Sequence, residues 1–285
     1  MFVLGKVINC KEISENIKED IKQFVNERKN KGFTIPKIAS ILVGNDGGSI
    51  YYLNSQEKIA TSLGILFDKV ILDEDVTEEK LINLINELNF DESIHGIMIQ
   101  LPLPKHIDEE KVVNEISSKK DIDCLTYKNI GKLYSGHSEF LPCTPNAIMT
   151  VIKECNIDLQ GKEVVVIGRS NIVGKPTLQL LLNENATVTI CHSKTKDLKN
   201  VCKRADILVV AIGRAKFITA DYIKKGAIVL DVGTSSFNGK ITGDVDLEDV
   251  LDQVSMITKV PGGVGAITTT LLIKNVCEAI LKNEN

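Results

Sequence analysis

Val164-Val165-Val166-Ile167-Gly168-Arg169-Ser170-Asn171-Ile172-Val173-Gly174-Lys175-Pro176 is the stretch that decides how this chain is read. Four β-branched residues in succession suit a parallel strand covered on both faces. Gly168 then permits a sharp exit, and a helix opening at Gly174-Lys175-Pro176 has free N–H groups able to receive a pyrophosphate. The stretch predicts a dinucleotide-binding turn. Its spacing carries Ser170 where the usual fingerprint has its second glycine. Taken alone, it fits about as well an ordinary strand-to-helix connection that needs one glycine.

Working outward, the pattern predicts a helix over 174–182 and strands over 187–191, 207–211 and 227–232, which make a doubly wound sheet. Upstream, Ile13, Ile17, Ile21 and Phe24 recur at helical spacing before the polar run 26–31. Strands over 37–43, 65–72 and 94–100 then alternate with helices over 52–63 and 78–88, so this half also reads as βαβ units on a parallel sheet. Between the halves, residues 101–146 have weak periodicity and contain Pro102, Pro104, Pro142 and Pro145, which suits a hinge or the wall of a cleft. Residues 266–281 are apolar on at least one face and follow a glycine-rich loop. The expected organisation is a first domain over 1–146, a second over 147–265, and a helix over 266–285 that packs back on the first.

Composition narrows the function classes. The 285 residues are 43% hydrophobic and 25% charged with a net charge of −4, an ordinary soluble chain without the basic field that attracts nucleic acid or anionic membrane. Met1 to Lys6 do not read as a leader and no apolar run is expected to reach membrane-spanning length, which predicts a cytoplasmic protein. Seven dispersed cysteines without a Cys-x-x-Cys pair read as reduced and mostly structural. The four histidines show no ligand spacing, so no metal is expected.

The cofactor is narrowed by the end of the second strand after the glycine turn. NAD sites place a carboxylate there for the ribose 2′-OH. Here Cys191-His192-Ser193-Lys194-Thr195-Lys196 offers hydroxyls and cations with no acid until Asp197, and Arg169 lies on the neighbouring loop. A 2′-phosphate suits this set, which favours NADP, against the alternative of a merely solvated loop.

In the first half, three clusters carry usable polar groups: Ser49-Ile50-Tyr51-Tyr52, Gln100-Leu101-Pro102-Leu103-Pro104 and Asp121-Ile122-Asp123. Gln100 closes a strand, where ligands approach an open α/β sheet. Tyr52 is read as opening a helix, where packing is the commoner role for a tyrosine. The Asp-x-Asp pair lacks a third metal ligand and reads as a solvated turn.

Together with Pro142-Cys143-Thr144-Pro145, the glycine turn and Val260-Pro261-Gly262-Gly263-Val264-Gly265, these clusters in this order make the chain resemble the methylenetetrahydrofolate dehydrogenase/cyclohydrolase family over nearly its whole length. The resemblance implies two α/β domains flanking a cleft, the first holding a tetrahydrofolate derivative and the second, of Rossmann type, holding NADP. Members oxidise 5,10-methylenetetrahydrofolate to the 5,10-methenyl cation. Many then hydrolyse it to 10-formyltetrahydrofolate, and they are commonly homodimers.

By matched position, Tyr52 would stack on the folate, Gln100 would join the catalytic network, Asp123 would bind the pterin amino groups, and Ser49, Pro102, Gly262 and Gly263 would complete the substrate site. Arg169 and Ser193 would hold the 2′-phosphate. Gly168, Ser170, Ile172, Val173, Gly174, His192, Ile212, Gly213 and Gly233 would complete the cofactor site.

The chain departs from the family at several points. Cys124 stands where glycine is common, so the backbone there is expected to avoid the left-handed region. Lys259 replaces a proline, and Ala266-Ile267 replaces Pro-Met. Most telling, the family pattern Tyr-x-x-x-Lys reads Tyr52-Leu53-Asn54-Ser55-Gln56. An amide cannot titrate, so hydrolysis is expected to be lost or weak unless another group orients the water. Two other classes stay open: an NADP-dependent oxidoreductase of another small molecule, and a non-catalytic folate or NADP sensor.

Overall fold

The computed structural model describes residues 5–284. Residues 1–4, which begin the segment read as leader-free, and residue 285, the last of the expected C-terminal helix, lie outside the described residues. In chain order the elements are β1 (Lys6–Val7), α1 (Cys10–Asn30), β2 (Lys37–Val43), α2 (Gly47–Ser62), β3 (Leu66–Leu72), α3 (Glu78–Phe90) and β4 (Gly96–Ile99). Next come α4 (Glu109–Asn114), α5 (Tyr127–Tyr134), α6 (Cys143–Glu154), β5 (Glu163–Ile167), α7 (Gly174–Asn183), β6 (Thr187–Cys191), α8 (Leu198–Cys202) and β7 (Ile207–Val210). The chain closes with β8 (Ile228–Asp231), β9 (Ser235–Phe237), β10 (Lys240–Thr242), α9 (Leu247–Val250), β11 (Met256–Ile257) and α10 (Val264–Asn283).

The described residues form two compact units. One comprises 16–141 with 269–284, the other 5–15 with 142–268. Residues 5–15 and 142–146, expected in the first domain, group with the second unit, and β1 pairs in parallel with β11 and so joins this segment to the second sheet. The two units are linked through α1, through the step from Leu141 to Pro142, and through α10.

The first unit is built on a parallel sheet in the order β3-β2-β4. β2 is central, and its apolar run is buried from Ile38 to Val43, as a strand covered on both faces requires. Ala39, Ile41 and Val43 share a core with Ile97 and Ile99 of β4 and with Leu81 and Ile85, four residues apart on α3. The edge strand β3 carries Asp68 and Lys69, charges that blunt an open edge. α2 begins at Gly47, five residues before the expected start at Tyr52, because the Asp46 side chain accepts the Ser49 N–H and caps the helix there.

The second unit holds six parallel strands in the order β1-β11-β8-β7-β5-β6. β5 has β6 on one side and β7 on the other, so the chain reverses its direction of build at the carboxyl end of β5. Open α/β sheets bind ligands at that point. Val165, Ile167, Leu208, Val210, Val229 and Ile257 belong to one continuous core beneath it.

α10 corrects one expectation. Val264–Lys282 is long and apolar enough to cross a membrane by length and composition. Of that window 61% is buried inside the protein, so the helix turns its apolar surface inward. All seven cysteines are free thiols, six of them buried. Burial pushes Cys10 up to about 11 and Cys202 and Cys277 up to about 12, so these thiols are held in their protonated form.

Candidate functional site

At the exit of β5, two glycines make the turn possible. Gly168 has φ +134°, and a Cβ there would sit 2.3 Å from the carbonyl oxygen of Ala211. A Cβ on Gly174 would lie 2.1 Å from the carbonyl oxygen of Gly168, so the start of α7 rests directly on the strand exit. Ser170 takes a different role from a glycine: its hydroxyl oxygen accepts the N–H groups of Val173 (3.1 Å) and Gly174 (3.4 Å). The side chains of Ser170 and Ile172 are exposed and that of Val173 is half-buried.

Register places the next group of residues at the same edge. Ile167 of β5 pairs with Cys191 of β6, and the Gly168 N–H donates to the Cys191 carbonyl at 2.9 Å. Arg169 and Ser193 therefore each lie two residues past paired positions, and both are exposed. Among the described residues no hydrogen bond or ion pair engages the Arg169 guanidinium. The turn after β6 is shaped from within: the His192 N–H donates to Thr195 Oγ1 at 2.9 Å, and the Lys194 N–H to His192 Nδ1 at 3.1 Å. A cation and a hydroxyl without internal partners beside a glycine-bounded helix start fit a dinucleotide that carries a 2′-phosphate.

The first unit gathers its own set. Gln100 follows β4, its N–H donating to the Ile41 carbonyl at 2.8 Å, and it is 7% exposed. Its Nε2 donates both to Ser40 Oγ (3.0 Å) and to Gln56 Oε1 (2.8 Å). Ser40 is fully buried in β2. Gln56 and Tyr52 stand one turn apart on α2, on one face. Tyr52 is exposed and makes an edge contact with Tyr51 at 6.0 Å between ring centroids. Ser49, buried in the first turn of α2, donates through both N–H (2.8 Å) and Oγ (2.9 Å) to Asp46 Oδ2. Those two bonds hold the Asp46 carboxyl below the usual carboxylate range. Pro102 is exposed and follows a cis bond from Leu101.

The Asp121-to-Thr126 loop corrects two readings. Asp121 is 1% exposed rather than solvated, and its carboxylate accepts from the Leu125 N–H, the Thr126 N–H and hydroxyl, and Asn129 Nδ2, at 3.0, 2.9, 2.7 and 2.9 Å. Cys124 has φ +58°, inside the left-handed region it was expected to avoid. The bonds gathered by Asp121, together with Asn275 Nδ2 donating to the Ile122 carbonyl at 2.7 Å, over-determine the turn and hold Cys124 there without glycine. Asp123, half-buried, is carried by this turn.

The sequence-predicted residues therefore fall into two sets. Ser49, Tyr52, Gln56, Gln100, Pro102 and Asp123 lie in the first unit, while the dinucleotide residues lie in the second. Gly262 and Gly263 also lie in the second unit, in the loop that leads into α10. Ser40, Asp46 and Asp121 were missed as organisers. Asp46 had a readable signal, an N-cap three residues before Ser49, whereas Ser40 inside an apolar strand had none.

Comparisons with known proteins agree over the whole chain. The profile of the tetrahydrofolate dehydrogenase/cyclohydrolase catalytic domain matches residues 8–123, and that of the corresponding NAD(P)-binding domain matches residues 142–284. A bifunctional protein FolD of Clostridium botulinum (strain Alaska E43 / Type E3) is 66% identical over 282 residues, covering 99% of this chain and 100% of that protein. The bifunctional FolD methylenetetrahydrofolate dehydrogenase/cyclohydrolase of Campylobacter jejuni superposes with a TM-score of 0.95 at 43% identity, covering 98% of this chain and 99% of that one. The Trypanosoma brucei methylenetetrahydrofolate dehydrogenase-cyclohydrolase, solved with NADP and an inhibitor, gives 0.94 at 33% identity, covering 99% of each chain.

Proposed function

This chain belongs to the tetrahydrofolate dehydrogenase/cyclohydrolase family, and from that premise we propose that it oxidises 5,10-methylenetetrahydrofolate to the 5,10-methenyl cation with NADP but hydrolyses that cation poorly or not at all. The observation that carries the proposal is the amide-to-amide bond between Gln100 Nε2 and Gln56 Oε1. It occupies the position where the family's lysine serves the hydrolytic step.

In this reading the folate is held by the first set of residues. Tyr52 offers an exposed ring face, Ser49 sits at the start of the same helix, Pro102 borders the Gln100 loop, and the Asp123 carboxylate accepts paired N–H bonds from the pterin edge. The family resemblance assigns Gly262 and Gly263 to the substrate as well. The dinucleotide is held by Gly168, Ser170, Ile172, Val173 and Gly174 at the turn, by His192, Ser193 and Arg169 at the 2′-phosphate, and by Ile212, Gly213 and Gly233 beyond. When bound, the nicotinamide ring supplies the hydride acceptor. Positioning of two flat partners suffices for that step, so no strong acid or base is needed from the protein.

Hydrolysis differs, since water must lose a proton as it attacks the methenyl carbon. Gln56 can orient water but has no titrating state. Lys58, exposed on the same helix, lies about 200° round from residue 56 and does not replace the missing group. The same family resemblance supports a homodimer working in the cytoplasm.

The test is a paired assay on the purified chain. NADPH formation from methylenetetrahydrofolate is expected, with methenyltetrahydrofolate decaying no faster than in buffer. Absence of NADPH formation with NAD also inert would reject the dehydrogenase reading. Methenyl hydrolysis at a rate comparable to the dehydrogenase turnover would instead establish a fully bifunctional enzyme.

A further inference from the structure

Asp244 is fully buried at the end of the β9–β10 segment, yet its carboxylate is held by a distant loop. Oδ2 accepts the N–H groups of Ile212 (2.7 Å) and Gly213 (3.0 Å), and Oδ1 accepts that of Arg214 (2.6 Å). Three successive amides converging on one anion form a nest of the kind that elsewhere receives a phosphate. Here the protein fills it from inside, although Gly213 and Arg214 themselves are exposed.

Two further features lock the arrangement. A Cβ on Gly233 would lie 2.0 to 2.3 Å from the carboxyl atoms of Asp244, so any side chain at 233 would drive the carboxylate off the loop. Asp231, at the end of β8, accepts the N–H groups of Asp244 (3.1 Å), Val245 (3.0 Å) and Gly233 (3.1 Å), which fixes the backbone of Asp244 itself. The two aspartate side chains thereby tie the loop after β7 to the loop after β8.

This position matters if the unit binds NADP, the reading on which the inference rests. The pyrophosphate belongs at the β5 turn and the 2′-phosphate at the end of β6, so the nicotinamide half must extend the other way, over the ends of β7 and β8. We propose that Asp244 is the positioning residue of that half-site, holding residues 212–214 in the conformation that receives the nicotinamide nucleotide. Because its carboxyl oxygens consume the three amides, the loop offers shape and carbonyl groups there, and the anionic part of the cofactor is left to the β5 turn.

The experiment compares the full-length wild type, Asp244→Asn and the neighbouring control Asp246→Asn for NADP binding and for steady-state turnover. Asparagine has one acceptor oxygen for three N–H donors, so the loop must lose at least one bond. For Asp244→Asn, the NADP Kd and KM are expected to rise together by about 10- to 100-fold. The folate KM should stay within about threefold while the saturated kcat falls as the nicotinamide ring loses its placement, a split that general loss of folding would not produce. Asp246→Asn should match the wild type.

Unchanged NADP binding in Asp244→Asn would overturn this proposal alone. A wild type that binds no NADP would overturn the reading of the unit together with it. Amide hydrogen exchange on the wild type decides the matter if Asp244→Asn does not fold. Protection at 212–214, deepened by added NADP, supports the proposal, and fast exchange or indifference to NADP overturns it.

Discussion

At position 56 one side chain decides which way its neighbour's amide faces. Gln56 accepts from Gln100 Nε2, whereas a lysine carries donors only, so Gln56→Lys obliges Gln100 to turn over and offer its oxygen. The Ser40 hydroxyl can donate or accept and follows that reversal at little cost. Gln56→Lys is therefore expected to fold normally and to raise methenyl hydrolysis by about 10²- to 10⁴-fold. A stable variant with no gain would place the hydrolytic defect elsewhere. Arg169→Ala should raise the NADP KM with less effect on NAD, by roughly 1.5 to 3 kcal/mol for one lost charge-assisted contact. Equal losses with both cofactors would assign Arg169 to orientation or folding. Gln56 was legible because a four-residue spacing on a helix puts Tyr52 and residue 56 on one face. The bond from Gln100 to Ser40 was not, since a strand serine flanked by buried apolar residues announces no partner.

Among the elements, the junction of β5 with α7 has the least tolerance. Gly174→Ala would press a methyl group into the Gly168 carbonyl, so α7 must move off the strand exit. A loss of about 1–3 kcal/mol in urea unfolding is expected from overpacking of this kind. Added NADP should raise the unfolding midpoint of the wild type and leave that of the variant almost unmoved, as ligand linkage requires. A normal response to NADP in Gly174→Ala would remove the junction from the binding site. The long strands and helices were readable here because their apolar periods are sustained. The β9–β10 hairpin also had a signal, the Asn238-Gly239 turn with both residues at positive φ, which the reading passed over. The Cys124 turn misled because a residue type argues against a left-handed backbone only until a buried carboxylate two positions away from Asp123 holds the turn in place.

For the whole molecule, two buried groups bend the dependence of stability on pH in opposite senses. Burial, helped by Lys120 and Arg28, lowers the imidazole of His95, whose Nδ1 accepts the Lys37 N–H at 3.2 Å. The unfolded chain takes up that proton near pH 6.5 and the folded chain only at lower pH, so stability is lost as pH falls through 6.5. His95→Asn, which keeps an acceptor, should reduce the loss of unfolding free energy between about pH 7 and 5. An unaltered slope would show that His95 does not contribute. Asp231 has the reverse sign: burial pushes it up to about 7 against three backbone N–H bonds that lower it. Its retained proton makes stability fall as pH rises from about 4 to 7, after which the effect is constant. A carbon-detected titration of the Asp231 carboxyl should find a midpoint near 7, and one below 4 would mean that the three N–H bonds outweigh burial.

The division into two units was only partly legible at this scale, because β1 and β11 are two residues long and about 250 positions apart in sequence, too short and too distant for any local pattern. Their pairing has a consequence for biosynthesis. β1 is made about 250 residues ahead of the strand with which it pairs, and the first unit likewise includes the last three quarters of α10, residues 269–283. Translation at typical rates takes on the order of tens of seconds for a chain of this length. Throughout that interval both units are unfinished, and β1 stays without its partner strand until β11 has been made.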